Sequence, residues 1–179
     1  MVCVSVLHGN TRRVAGAMAQ VLGAKVVSPD EAGLAELADA DLVGFGSGVF
    51  HSRLHPRLTE FAKVLPARGR RAFVFATSGL PEIPLAPFTR RLVQLLENKG
   101  FEVEESFACR AFDTWAPFKL VGGINKQRPN AEDLAAARAF AARLRDRAGR
   151  EVLGPDHSGA NSYASSPCAA GALSSLLAA

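Results

Sequence analysis

The chain has 179 residues, of which 48% are hydrophobic, 21% charged and 7% aromatic. Its formal net charge is 21 − 17 = +4. These values exclude a wholly disordered chain, a collagen-like repeat and a disulfide-stapled miniprotein, and the length is enough to bury one sizeable core.

Val2 to Val6 is a short β-rich run, broken by His8-Gly9-Asn10-Thr11. Val14, Ala15, Met18, Val21 and Leu22 then recur at helical spacing until Gly23 stops the pattern. Lys25 to Val27 is a brief strand, and Leu34 to Ala38 a weaker helix. Asp41 to Gly46 reads as a buried strand, followed by the loop Ser47 to Ser52 and a helix carrying Leu58, Phe61, Ala62 and Leu65. Arg71 to Ala76 is the fourth strand, with Thr77-Ser78-Gly79-Leu80-Pro81 as its terminal loop. Phe88 to Lys99 is helical, with Leu92, Leu95 and Leu96 inward, and Phe101 to Cys109 alternates as a fifth strand. After a long irregular stretch, Arg110 to Arg128, the last helix starts behind Asn130 as a cap. Glu132 and Asp133 sit in its first turn, where they favour the helix dipole.

Five strands alternating with five helices imply an α/β fold: a doubly wound parallel sheet with helices on both faces. Right-handed crossovers leave few topologies, of which the strand order 2-1-3-4-5 is a common one. The fold should occupy residues 1–148. Residues 149–179 are mainly Ala, Ser, Gly and Pro, and read as a disordered tail.

No apolar run approaches the roughly 20 residues that a membrane-spanning helix needs, and no basic-then-apolar signal segment opens the chain. The cysteines, Cys3, Cys109 and Cys168, are odd in number and form no CxxC pair, which fits a reducing cytoplasm better than a structural zinc site. The arginine runs at 68–71 and 143–147 have no interleaved aromatics to stack bases, so they read as solvated faces and nucleic-acid binding is not expected. A diffuse positive field remains available to an acidic protein partner or an anionic substrate.

In doubly wound sheets, ligands bind outside the carboxyl ends of the strands, near the reversal of strand order. Here those ends carry His8-Gly9-Asn10-Thr11, Ser47-Gly48-Val49-Phe50 and Thr77-Ser78-Gly79, all rich in glycine and hydroxyls. A strand, then Gly-Asn-Thr, then a helix can cradle a phosphate, because the helix N-terminus offers unpaired N–H groups and partial positive charge. The same residue types also serve as plain helix caps. There is no G-x-x-x-x-G-K-[ST], and Gly44, Gly46 and Gly48 give G-x-G-x-G after a third strand instead of a dinucleotide fingerprint after a first.

The segment Val4 to Ala15, centred on Gly9-Asn10-Thr11, resembles the phosphate-binding signature of the flavodoxin-like FMN proteins. The resemblance extends through Gly46 to Phe50, Thr77 to Gly79, and Phe112-Asp113-Thr114-Trp115 with Gly122 to Lys126 and Arg128-Pro129-Asn130. It implies FMN held by its phosphate in the first loop and by its isoalloxazine between the second and third. The implied cofactor-binding residues are Ser5, His8, Gly9, Asn10 and Thr11, then Ser47, Gly48, Val49 and Phe50, then Thr77, Ser78 and Gly79. Two features differ from the usual pattern. Val6, Leu7 and His8 stand where flavodoxins commonly place hydroxyls, and the chain is basic where pure electron carriers are usually acidic.

Phe50 and Trp115 are candidates to stack on a flavin, or to cover the open side of the core. His51 and His55 could donate to a flavin or substrate carbonyl, or be merely solvated. Cys109 is either redox-active or a small inert hydrophobe. Three functions follow from the resemblance. The first is an FMN-binding redox protein that carries electrons to an unidentified partner. The second is an FMN-dependent reductase or oxidase of a small aromatic substrate such as a quinone or porphyrin, motivated by the long 110–128 loop. The third is a binding module of this fold without cofactor.

Overall fold

The structure is a computed structural model, and it describes residues 1–6, 8–66, 69–80, 87–114 and 123–152. Trp115 and the segment 153–179 lie outside the described residues. The order of elements is β1 (Val2–Val4), α1 (Asn10–Leu22), α2 (Leu34–Ala38), β2 (Leu42–Phe50), β3 (Arg53–Leu54), α3 (Pro56–Val64), β4 (Arg70–Ser78), α4 (Arg90–Asn98), β5 (Phe101–Arg110) and α5 (Ala131–Val152).

β1, β2, β4 and β5 pair in parallel in that order. The expected strand at Lys25 to Val27 shrinks to one bridge on the outer side of β1: Cys3 N–H donates to Val27 O at 2.8 Å and Val27 N–H to Met1 O at 3.0 Å. With that bridge counted as a strand, the expected 2-1-3-4-5 order is reproduced. One element was not foreseen. β2 continues to Phe50, turns at His51-Ser52, and returns as β3, with Val49 opposite Leu54 and Phe50 opposite Arg53. The segment read as a loop is a hairpin.

Each strand alternates its side chains between two cores. On one face Val43, Phe45, Val74 and Ala76 pack with Leu58 of α3 and with Leu92 and Leu96 of α4. On the other, Phe73 and Phe75 pack with Val14 and Met18 of α1 and with Phe140 and Leu144 of α5. The glycines of β2 belong to this second face: Gly44 lies opposite Phe73 and Gly46 opposite Phe75. A Cβ on Gly46 would come within 1.9 Å of the Phe75 ring, and one on Gly44 within 2.4 Å of the Phe73 ring. The G-x-G repeat is a trough for two phenylalanines.

The helix ends match the sequence. Gly23 closes α1 with left-handed φ 62, its N–H on Ala19 O. Asn130 caps α5 reciprocally: Asp133 N–H donates to Asn130 Oδ1 at 3.0 Å, and Asn130 N–H to Asp133 Oδ2 at 2.9 Å. The helix then runs to Val152, past residue 148 where the folded domain was expected to end.

Candidate functional site

The loops after β1, β2, β4 and β5 meet at one end of the sheet and enclose a cavity of about 190 Å³. The first loop reverses the chain through His8 (φ 56) and Gly9 (φ 68, ψ 10), both left-handed, and delivers it into α1. Gly9 is needed for that conformation, and the space where its Cβ would stand is open. The side chains of this loop bind its neighbours. Asn10 Nδ2 donates to Phe112 O at 2.8 Å, His8 Nε2 lies 3.0 Å from Thr114 Oγ1, and Thr11 Oγ1 lies 2.8 Å from Thr77 Oγ1. Ser5 Oγ accepts from the Arg12 N–H at 3.3 Å, so it occupies one of the N–H groups at the start of α1.

The hairpin forms the second wall. His51 (φ 48) and Ser52 (φ 59) make the two left-handed positions of a tight two-residue turn, which puts Phe50 and His51 into the cavity lining. Ser47 fixes this hairpin from behind: its fully buried hydroxyl donates to Gly48 O at 2.6 Å and accepts from His55 N–H at 2.9 Å. His55 caps α3, its Nδ1 accepting from Arg57 N–H at 3.2 Å, while its ring meets Phe50 edge-on at 5.3 Å. Burial, with the neighbouring Arg57 cation, lowers the pKa of His55.

The third wall joins the β4 and β5 loops. Ala111 N–H donates to Ser78 O at 2.8 Å, and Asn125 Nδ2 donates to Gly79 O at 2.7 Å. Gly79 must lack a side chain, since a Cβ there would stand 2.3 Å from Asp113 Oδ2. Asp113 and Ile124 bridge through both backbone amides, at 3.1 and 2.9 Å. Cys109 is the last residue but one of β5, close by. Burial, reinforced by Asp133 and opposed by Arg128, pushes its thiol up to about 12, so it is no nucleophile near neutral pH.

Of the residues singled out in the sequence, His8, Asn10, Thr11, Gly48, Val49, Phe50, Thr77, Ser78 and Gly79 line the cavity together. Ser5, Gly9 and Ser47 stand outside its lining, in supporting positions. His51 also lines it; His55 does not. Val6, Ser52, Leu80, Phe88, Ala111, Phe112 and Asp113 complete the lining and were not among the expected cofactor-binding residues. The signal for Phe112 was present, because a loop so apolar must pack somewhere. The non-glycine residues with left-handed φ among the described residues, His8, His51, Ser52 and Asn125, all lie at this end of the sheet. Backbone strain of this kind concentrates at functional sites.

A parallel doubly wound sheet with a cavity at its carboxyl end, floored by the first turn of α1, defines a class of ligand-binding α/β proteins. Within that class the chain belongs to the flavodoxin-domain family, whose Flavodoxin domain matches residues 1–94. It is 34% identical over 137 residues to an uncharacterised protein of Methanocaldococcus jannaschii, covering 76% of this chain and 91% of that one. Its fold resembles that of a flavodoxin from the domain Archaea (TM-score 0.63, 17% identity, 83% of this chain and 96% of the other). It also resembles that of the flavodoxin WrbA-like protein of Agrobacterium tumefaciens (TM-score 0.60, 21% identity, 83% and 95%).

Proposed function

We propose that the protein holds FMN in this cavity and carries electrons on it. The observation that carries the reading is the continuity of the cavity, from the N-terminal turn of α1 at Asn10 and Thr11 to the apolar walls at Val49, Phe50, Leu80 and Phe112. The first end suits a phosphate: α1 has no acidic residue in its first turn, and Arg12 and Arg13 lie there, exposed. The second suits a planar aromatic ring, which rewards apolar and aromatic walls. FMN, when bound, supplies the one- and two-electron chemistry.

The chain's own groups would bind and orient it. Gly9 and the α1 amides receive the phosphate, with Ser5, His8, Asn10 and Thr11 shaping that loop. Gly48, Val49 and Phe50, braced from behind by Ser47, form one side of the ring slot, and Thr77, Ser78 and Gly79 the other. Residues 1–148 are the redox unit, extended by the end of α5. The free thiols of Cys3 and Cys109 support a reducing, cytoplasmic setting, and no helix among the described residues is long and apolar enough to cross a membrane.

The absorbance spectrum of the purified protein, with mass identification of any released flavin, tests this directly. Gly9→Val should abolish FMN uptake, because a branched side chain is strained at φ 68 and fills the open space beside the loop. Equal FMN affinity for wild type and Gly9→Val would remove the phosphate from this loop. A second reading, an FMN-dependent reductase or oxidase of a small aromatic substrate, draws on the apolar extension of the cavity at Leu80 and Phe88. Turnover with NAD(P)H and a quinone separates it from pure electron carriage.

A further inference from the structure

The two ends of the sheet differ in how their charges are compensated. Where the strands begin, basic side chains have partners. Lys25 pairs with Glu36, Lys63 with Glu60, Arg71 with Glu104, and both Arg143 and Arg147 with Glu105. Arg70 and Lys99 there donate to the carbonyls of Leu37 and Leu65. At the cavity end Arg57 and Arg128 are likewise paired, with Asp30 and Asp133. The remaining cations of that end are not. Arg12 and Arg13 open α1, Arg53 lies on β3, Arg90 and Arg91 open α4, and Arg110 and Lys126 flank the connection from β5 to α5. All are exposed, and no ion pair joins any of them to a carboxylate among the described residues; the carboxylates of this end, Glu31 near Arg12, Asp113 in the cavity wall and Glu132 at the start of α5, are outnumbered by the cations. The cavity mouth between these cations exposes two aliphatic side chains, Val6 (55%) and Leu80 (53%).

We propose that this end of the molecule is a docking surface for an acidic protein, a redox partner whose carboxylates surround its own centre. That the partner is a redox protein rests on the flavin reading above; the docking does not. Uncompensated like charges on one face steer an oppositely charged partner from a Debye length away, about 8–10 Å at physiological salt, and raise association rates by roughly 10- to 1,000-fold. An apolar centre within a charged rim is how transient protein interfaces are built. Nucleic acid fits this face less well, because the phenylalanine rings that could stack bases, Phe50, Phe88 and Phe112, are half-buried in the cavity wall, and the exposed rim offers Val6 and Leu80. The arginine runs that first suggest nucleic acid stand at the other end, where Arg70, Arg71, Arg143 and Arg147 are engaged.

The experiment measures binding of the full chain, with and without added FMN, to an acidic two-iron ferredoxin. Basic cytochrome c and a short DNA duplex serve as comparators. Ferredoxin should bind at low salt and lose affinity roughly tenfold or more as salt passes physiological strength, while cytochrome c should not bind. Arg53→Glu/Arg110→Glu/Lys126→Glu should weaken ferredoxin binding about tenfold or more, and Arg145→Glu/Arg150→Glu, at the far end, should not. Arg53→Gln and Lys126→Gln singly, with melting curves for every variant, give graded losses even where the triple variant folds poorly. Absence of ferredoxin binding, equal losses at the two ends, or tighter binding of DNA than of ferredoxin would each overturn the proposal. Failure to take up FMN in the same samples would count against the flavin reading alone.

Discussion

Gly44, Gly46 and Gly48 stand on the same face of β2, two residues apart, yet the first two and the third do opposite things. Beside Gly44 and Gly46 the missing side chains are replaced by the rings of Phe73 and Phe75, both fully buried. Beside Gly48 the cross-strand neighbour is Thr77, whose hydroxyl meets Thr11, and the nearest ring, Phe50, stands 3.3 Å from where a Cβ would be instead of occupying that space. The row of glycines therefore begins as packed core and ends as cavity wall. A site at the carboxyl end of a parallel sheet needs no separate scaffold; it forms where the filling of a trough stops.

The comparison breaks most visibly by adding one methyl group at each position. Gly46→Ala places a Cβ 1.9 Å from a buried ring that has nowhere to move. It should cost about 3 kcal/mol or more in urea unfolding, the upper range for overpacking. Gly48→Ala meets its nearest atom, Phe50 Cε2, at 3.3 Å on a half-buried ring, and should cost less than about 1 kcal/mol. Combining Gly46→Ala with Phe75→Leu should recover a good part of the loss, since the two residues share one space. Equal destabilisation at 46 and 48 would mean that the trough does not end where the cavity begins.

The boundary itself is the hydroxyl pair of Thr11 and Thr77, both buried. Replacing either by Val leaves the other hydroxyl buried without its partner, at a cost of about 1–3 kcal/mol. Replacing both should cost less than the sum of the two, because the apolar pair removes the orphaned hydroxyl. Strict additivity in the double-mutant cycle would mean that each threonine acts alone, and that the first and third loops are not joined at this point.

The frame of this molecule is legible in its sequence because periodicity and terminal residues report directly on burial. The stripe of Val14, Ala15 and Met18 with Gly23 behind it, and Asn130 ahead of Asp133, specify both ends of α1 and the start of α5 within a residue or two, while the end of α5, at Val152, lies in a stretch that reads as tail. The hairpin is not legible. A two-residue turn with both φ positive ordinarily advertises itself by Asn-Gly or Asp-Gly, and His51-Ser52 carries no such signal. The glycine repeat misleads for a related reason: a missing side chain reads the same in sequence whether a ligand or Phe75 takes the space. Likewise the hydroxyls of Ser47 and Thr11 are visible, but not that they are turned onto protein groups, since Thr77 lies on another strand and His55 comes within reach only through the hairpin. Phe112 and Asp113 join the site only through long-range contacts with Asn10 and Gly79, which one sequence without relatives does not reveal.

The smallest expected effect concerns the support behind the hairpin. Neutral His55 accepts the Arg57 N–H through Nδ1, and that bond is lost when the ring is protonated. Its pKa lies below the ordinary value of 6.5, chiefly because burial disfavours the cation, with Arg57 adding to the effect. The unfolded chain therefore takes up this proton at a higher pH than the native one does, so stability rises with pH across that interval. The contribution is complete above pH 6.5 and is lost as pH falls through the depressed native value. Urea midpoints for wild type and His55→Asn, measured from pH 7.5 down to about 5, should diverge at the upper end and converge at the lower. The divergence should be a few tenths of a kcal/mol, because much of the ring remains near solvent. The convergence is the informative part. A gap that stays constant with pH would assign His55 to packing against Phe50 alone, and would leave the hairpin side of the cavity insensitive to protonation.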